Sequence, residues 1–404
     1  MANKADNQVP AIRLAGFSDP WEEKPIGEVL SETKRPIVLE DKQQYELVTV
    51  KRRNGGVVSR GHLWGREILV KNYSQLQTGD FLVSKRQVVH GATGIVPAEL
   101  NGAIVSNEYL VAIGNNEITT EFLTILASLP DMHKKFFLSS YGVDIEKLFF
   151  DAEDWKKRSV TIPKLPEQTR IVGFLRELDS LIGLHQRKHD KLVTLKKSML
   201  QKMFPQPDAT TPKIRFKGFA GDWGKEKLGS ISESYSGGTP SVGNRAFYGG
   251  NIPFIRSAEI NAMSAELSIT ELGLQNSSAK MVSKGNVLYA LYGATSGEVG
   301  ISQINGAINQ AILAIIPHPG CSSDFLAIWL RYKKAFIVGT YIQGGQGNLS
   351  GNIVKSLEVD LPSSEEQQKI GTYFRQLDEL ISKHAIQLQK LKQIKSACLE
   401  KMFV

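Results

Sequence analysis

"IPKLPEQTRIVGFLRELDSLIGLH" (Ile162–His185) is written a second time, without a gap, as "LPSSEEQQKIGTYFRQLDELISKH" (Leu361–His384). The step from one copy to the other is 199 residues, as from His185 to His384. Pro163 and Pro362, Glu167-Gln168 and Glu366-Gln367, Ile171 and Ile370, and Leu178-Asp179 and Leu377-Asp378 coincide. The match runs on to two basic helix ends, "LKKSMLQKMF" (Leu195–Phe204) and "IKSACLEKMF" (Ile394–Phe403). It also has a counterpart upstream, where "PAIRLAGFSDPWEEKPIGEV" from Pro10 resembles "PKIRFKGFAGDWGKEKLGSI" from Pro212. Ile12/Ile214, Arg13/Arg215, Gly16/Gly218, Phe17/Phe219, Trp21/Trp223 and Gly27/Gly229 are shared. The chain is a tandem duplication, and a repeat of this kind governs every later reading.

Each copy opens on a body and closes on a helix. Short apolar runs such as "YELVTV", "GDFLVS", "GNVLYALYG" and "AILAIIP", spaced by Gly, Asn and Ser, predict strand-rich bodies with a few helices, an α+β fold. Between the bodies the match is patchy: "HGATGI" from His90 against "YGATSG" from Tyr292, and "LNGAI" from Leu100 against "INGAI" from Ile304. Pro163 or Pro362 introduces each helix, with Glu in the first turn and Lys in the last, as the helix dipole favours. The expected division is a first body over 1–160, a central helix over 161–206, a second body over 207–358 and a C-terminal helix over 359–404.

Steps of four and three residues pick out Ile171, Leu175, Leu178, Ile182, His185, His189, Leu192, then Lys196 or Leu195, Met199 and Met203. The second helix gives Ile370, Phe374, Leu377, Ile381, His384, Leu388, Leu391, then Ile394 or Lys395, Cys398 and Met402. A sustained heptad seam on a rod of about 57 Å leaves a wet apolar stripe unless it is partnered. The near-identical partner is the other copy, so the expected arrangement is two long antiparallel coiled-coil helices related by a pseudo-two-fold. The repeat then brings the C-terminus near residues 5–10, and the two copies close into a ring.

Composition excludes several classes. No run approaches 18 apolar residues, so no membrane segment is expected. Cys321 and Cys398 form no CxxC pair, which fits a reducing cytoplasm and excludes a structural zinc cluster. The net charge of +8 is compatible with a polyanionic partner. Catalytic signatures are absent from the sequence: no phosphate-binding loop, no G-x-G-x-x-G after a strand, and no Asn-Pro-Pro-aromatic tetrapeptide of an amino-methyltransferase.

What remains is polar, basic loops in both bodies. The first supplies Lys51, Arg52, Arg53 and Asn54 in "KRRNGG", and Lys85, Arg86, His90 and Thr93 in "SKRQVVHGATG". The second supplies Ser236, Thr239 and Arg245 in "SYSGGTPSVGNRAFYGGN", with Arg256, then Tyr292, Thr295 and Ser296, then Gln343, Gln346 and Asn348 in "YIQGGQGNLSGN". Arg, Gln and Asn suit base edges, while Lys, Ser, Thr and backbone amides suit phosphates, so double-stranded DNA is the expected partner.

The pattern resembles the specificity subunits of bacterial type I restriction–modification systems. The resemblance rests on the "P-x-I-R-x-x-G-F…W" openings, the "SGGTPS…FYGGNIPFIRS" entry to the second body, the "P…EQ…I" helix starts, and the doubled frame with divergent bodies. It implies two target recognition domains reading the halves of an asymmetric bipartite DNA site. It also implies helices that set their spacing and dock two modification subunits carrying S-adenosylmethionine, with two motor–nuclease subunits using ATP and magnesium. The chain itself is then a non-catalytic, bacterial cytoplasmic protein that holds no cofactor or metal. The first body has "SETKRPIVLEDKQQYELV" in place of the "GGTPS" entry, which implies that the halves read different sequences. Two other readings use the same loops: the recognition part of a fused restriction–methylation enzyme, and a coiled-coil DNA-binding adaptor.

Overall fold

In both halves the opening segment folds back onto the strand that leads into the long helix. A computed structural model describes residues 9–69, 72–145, 148–342 and 348–404, in two compact units, Met1–Leu184 with Leu388–Val404 (unit 1) and His185–Gln387 (unit 2). In unit 1 the strand Glu22–Pro25 pairs antiparallel with Ser159–Ile162; in unit 2 Gly224–Lys227 pairs likewise with Glu358–Leu361. The shared residues pin this arrangement. Arg13 donates through Nε and Nη2 to the Glu167 carboxylate, each at 2.7 Å, and Arg215 does the same to Glu366. Both carboxylates are almost wholly buried, so each needs its arginine to offset desolvation. Beside them Gln168 donates to Pro163 O and accepts from Thr119 N, and Gln367 donates to Pro362 O and accepts from Ser322 N. The Glu-Gln dipeptides therefore fasten the first helical turn to its body.

Each body has two larger sheets with matching strand order. In unit 1 the first sheet runs Leu30–Glu32, Tyr109–Gly114, Phe81–Ser84, Thr93–Ile95; in unit 2 it runs Ser232–Ser236, Ile312–Pro317, Val287–Ala290, Val299–Ile301. The second sheet of unit 1 runs Pro36–Ile37, Tyr73–Gln75, Ile104–Ser106, Gln44–Val50, Val57–Trp64. Unit 2 has Lys280–Val282, Gly306–Ile308, Tyr248–Ile255 and Leu267–Ile269, with no equivalent of the 36–37 edge among the described residues. One pair in each second sheet is parallel, with Leu47 opposite Ile104 and Ile255 opposite Ile308. The helices Thr120–Ala127 and Pro130–Leu138 in unit 1, and Ser323–Tyr341 in unit 2, pack into the main cores.

The long helices span Leu165–Lys202 and Ser364–Lys401, 38 residues each. Their burial follows the heptad walk. Ile171, Leu175, Leu178, Ile370, Phe374 and Leu377 are buried, Ile182 is half-buried, and Leu192, Ile381 and Leu391 are half-buried between exposed neighbours. Where the walk offered a choice, lysine holds the seam: Lys196 and Lys395 are half-buried, while Leu195 and Ile394 are exposed. The reason is a partner. Within unit 1, Lys395 donates to Asp179 at 2.6 Å; within unit 2, Lys196 donates to Asp378.

The Met-Phe endings explain why that helix end is written twice. In unit 1 Phe403 packs on Trp21 (ring centroids 6.1 Å) and Phe122 (5.8 Å), and Met402 lies buried in the same core. In unit 2 Phe204 packs against Trp223 (6.0 Å), Phe325 (5.8 Å), Tyr332 (5.1 Å) and Phe374 (6.3 Å), with Met203 beside it. Each body's core is thus completed by the helix end of the other sequence half. In each unit the start of one long helix lies along the end of the other, which is the antiparallel pairing the repeat requires. The openings dock there too, with Ile12 N donating to Lys401 O and Ile214 N to Lys202 O, both at 2.9 Å. In unit 1 this brings the opening segment and the C-terminal residues together.

Candidate nucleic-acid interface

In unit 1 the two basic segments meet. "KRRNGG" is the turn between strands Gln44–Val50 and Val57–Trp64, with Arg53 (φ 57°) and Asn54 (φ 55°) in the left-handed region. That backbone is held from outside: Arg53 N donates to His90 O and Asn54 N to Gly91 O, both at 2.8 Å. Gly91 permits this approach, because a Cβ there would lie 2.9 Å from His133 and 3.1 Å from Asn54 Oδ1. Arg52 Nε donates to Gln87 Oε1 at 2.6 Å, tying the two loops side to side. Lys85 Nζ donates to Asn107 O at 3.0 Å, and Arg86 pairs with Glu108 at 2.8 Å while lying over the Phe149 ring. Lys51 and Arg53 are exposed and have no ion-pair partner among the described residues. The result is one cationic surface, where the Lys51–Gly56 turn of the second sheet meets the Lys85–Gly91 loop at the end of the first.

Unit 2 has a surface at the matching end, built of neutral groups. Tyr292 bridges to Asn348, Thr295 Oγ1 donates to Tyr292 O, and Ser296 Oγ donates to Leu291 O (both 3.3 Å). Ser236 ends the neighbouring strand opposite Leu313. Thr239 Oγ1 donates to Gln310 Oε1 at 2.6 Å, which gathers the "SGGTPS" entry to the same end. Gly237 is required for the chain crossing itself, since a Cβ there would fall 1.8 Å from Ile308 O. Gln343 and Gln346 lie outside the described residues.

Three sequence readings need correction. Thr93 is no surface contact: it is buried in a strand, opposite Val83. With it falls the "HGATGI"–"YGATSG" match. Ser84 N donates to Ala92 O as Ala290 N does to Glu298 O, so the equivalent of Gly91 is Gly297, not Gly293. Both glycines are left-handed, φ 74° and 79°. By contrast the "NGAI" match is genuine, for Asn101 Oδ1 accepts from Thr78 N as Asn305 Oδ1 accepts from Lys284 N. The third correction concerns Arg256. Its guanidinium is taken by Glu259 at 3.1 Å and by Glu266, which hold its pKa well above the ordinary arginine value. It lies paired and part-exposed at one end of strand Tyr248–Ile255, and Arg245 sits exposed at the other.

Sequence reasoning also missed a group beside the cationic surface. Phe150 N donates to Lys85 O at 3.1 Å, strand Ser140–Tyr141 pairs with Phe149–Phe150, and this hairpin exposes Tyr141, Val143 and Ile145. "KKFFLSSYGVDIEKLFF" has the composition of a core segment, and nothing in its spacing marks the exposed part.

The duplicated frame has counterparts among known proteins. The model of the type I restriction modification DNA specificity domain matches residues 18–194 and again 220–395. The chain belongs to this family. Among curated members, it is 31% identical over 191 residues to the type I restriction enzyme MjaIX specificity subunit of Methanocaldococcus jannaschii, covering 45% of this chain and 44% of that one. It is 21% identical over 402 residues to the HindI specificity subunit of Haemophilus influenzae, covering 81% and 86%. The chain spans about half the length of the two M. jannaschii relatives it matches, 44% and 57%. Solved structures share the specificity-subunit fold. The HsdS subunit from Thermoanaerobacter tengcongensis aligns over 96% of this chain and 98% of its own (TM-score 0.50, 20% identity). The S subunit from M. genitalium aligns over 98% and 99% (TM-score 0.55, 15% identity). No helix among the described residues is long and apolar enough to cross a membrane.

Proposed function

We propose that this chain is the DNA-recognition subunit of a type I restriction–modification complex. Its two bodies read the two halves of an asymmetric bipartite target. The long helices set the distance between the half-sites and dock two modification subunits. The subunit is non-catalytic; S-adenosylmethionine, ATP and magnesium belong to the modification and motor–nuclease partners, and the assembly works in the bacterial cytoplasm.

One observation carries this reading. The frame is duplicated down to single hydrogen bonds, at Arg13–Glu167 and Arg215–Glu366 above all, while the surfaces at the sheet ends differ in chemistry. A two-site reader of an asymmetric sequence needs that combination: identical mounts and unlike reading surfaces. Phosphate contacts from Lys51 and Arg53 supply affinity, and neutral groups such as Asn348 supply base discrimination. The test is long-read methylome sequencing of cells that express the chain with its modification subunit. A bipartite motif with unlike halves and a fixed gap is expected; methylation without such a motif would refute the reading.

A further inference from the structure

We infer that the apolar turn of unit 1, carried by Tyr141, Val143 and Ile145, is a DNA-reading element that touches the bases of the first half-site by apolar contact. The inference rests on the proposed function and names a class of contact that the basic and amide loops do not supply.

Exposure is the first observation. Phe137, Leu138, Tyr141 and Ile145 are each more than half exposed and Val143 is fully so, all within one short stretch. Scattered surface hydrophobics are ordinary, but a contiguous apolar patch marks a contact surface. The second is position. The stretch returns into the body through Phe149, whose ring lies 5.1 Å under the Arg86 guanidinium and 5.8 Å from the Tyr141 ring. It is therefore continuous with the cationic surface formed by Lys51–Asn54 and Lys85–His90.

The third observation decides between DNA and a protein partner. Phe150 N donates to Lys85 O as Leu349 N donates to Leu291 O, at 3.1 and 2.9 Å, so the two segments that end there are equivalents. In unit 2 that segment reads "YIQGGQGN" (Tyr341–Asn348), and the register from Phe150 and Leu349 sets Ile342 against Val143, Gly344 against Ile145, Gly347 against Leu148 and Asn348 against Phe149. A surface that docks two copies of one subunit has to be alike in both units, as the helix starts and openings are. A surface that reads two different half-sites has to differ. From Ile145 to Phe149 the apolar side chains of unit 1 give way to glycine and amide in unit 2, so the segment belongs with the readers. Apolar side chains at base edges discriminate chiefly through the thymine methyl group.

The test uses the full chain assembled with its modification subunits and carrying Val143→Ser with Ile145→Ser. Both side chains are exposed, so the unfolding midpoint should not move. On DNA bearing the motif found by methylome sequencing, affinity should fall about tenfold, in line with the loss of one specific contact. The slope of log K against log salt should stay unchanged, because no phosphate contact is removed. Discrimination should relax at first-half-site positions only. Unchanged affinity and motif would overturn the proposal, as would an equal loss on unrelated duplex with a shallower salt slope. Intact DNA binding with lost assembly would assign the turn to a protein partner instead. If the unsubstituted complex shows no bipartite preference, the functional reading fails and the assignment of the turn falls with it.

Discussion

The two bodies agree where they are mounted and disagree where they end. Both fix an arginine on a buried glutamate, both fasten the helix start to the body through a glutamine, and both admit a Met-Phe pair from the other half's helix. At the matching sheet ends, unit 1 presents Lys51, Arg53 and an apolar turn, whereas unit 2 presents Tyr292, Thr295 and Asn348. The contrast sorts the residues by physical demand. Positions that must pack or pair the same way in both copies stay alike, and positions that meet different partners drift apart. An internal duplication thereby does the work of a comparison between molecules.

The largest expected effect attacks the shared mount. Phe204→Ala removes a fully buried ring and should cost about 3–5 kcal/mol. The loss should appear in unit 2 by hydrogen exchange, even though Phe204 ends the first half's helix. Phe403→Ala, at a half-buried ring, should cost less and loosen unit 1. If Phe204→Ala loosened unit 1 first, the exchanged helix ends would be wrong. Next in size, Arg215→Ala leaves the Glu366 carboxylate buried without its fork, and removing one member of such a pair costs about 3 kcal/mol or more. Arg13→Ala should do the same to unit 1, and unequal losses in denaturant melts would break the equivalence of the two mounts.

Smaller effects belong to the reading ends. Lys51→Ala and Arg53→Ala should each lower the salt slope of DNA binding by about one and weaken all sequences alike. Asn348→Ala should leave that slope untouched and relax one position of the second half-site by about 1–3 kcal/mol. Filter binding across a salt series separates the two patterns; an unchanged slope in both lysine and arginine variants would remove the cationic surface from the interface.

The smallest effect lies in the seam. His185 and His384 meet through Nδ1 atoms 2.9 Å apart. Partial burial, His185 and the nearby Lys188, Lys383 and His189 hold the His384 pKa below its ordinary 6.5. The folded seam binds that proton less readily than the unfolded chain does, so its contribution is whole above the ordinary histidine range and is lost as pH falls through it. Melting at about pH 7.5 and 5.5 should show a larger acid loss for the native chain than for His384→Leu; equal losses would remove the pair from the account.

The frame was legible in the sequence because it is periodic and repeated. The heptad walk names the buried helix residues, and the shared Arg, Glu, Gln and Trp turn out to be the mount. What was hidden depends on contacts between distant residues. That Lys196 rather than Leu195 holds the seam follows from Asp378 lying opposite it, which no local pattern reveals. Arg256 looked like a base reader until Glu259 and Glu266 were found around it. The "HGATG" likeness failed because strand pairing sets the register there, and three matched letters carry no register. The exposed turn at Tyr141–Ile145 was missed because an apolar run reads as core until its neighbours are known.

The exchanged helix ends lead to the most direct test. A fragment of residues 1–206 keeps the first body but lacks Met402, Phe403 and Lys395, which complete unit 1. It carries their near-copies Met203, Phe204 and Lys196, so two fragments can complete one another through a true two-fold, using the same patch on both sides. His189 and Leu175 replace Leu388 and Phe374 in that seam, so the pairing should be weaker than in the intact chain. Light scattering should find a dimer whose dissociation exposes an unstable body. A folded, monomeric 1–206 fragment with its long helix formed would contradict the account.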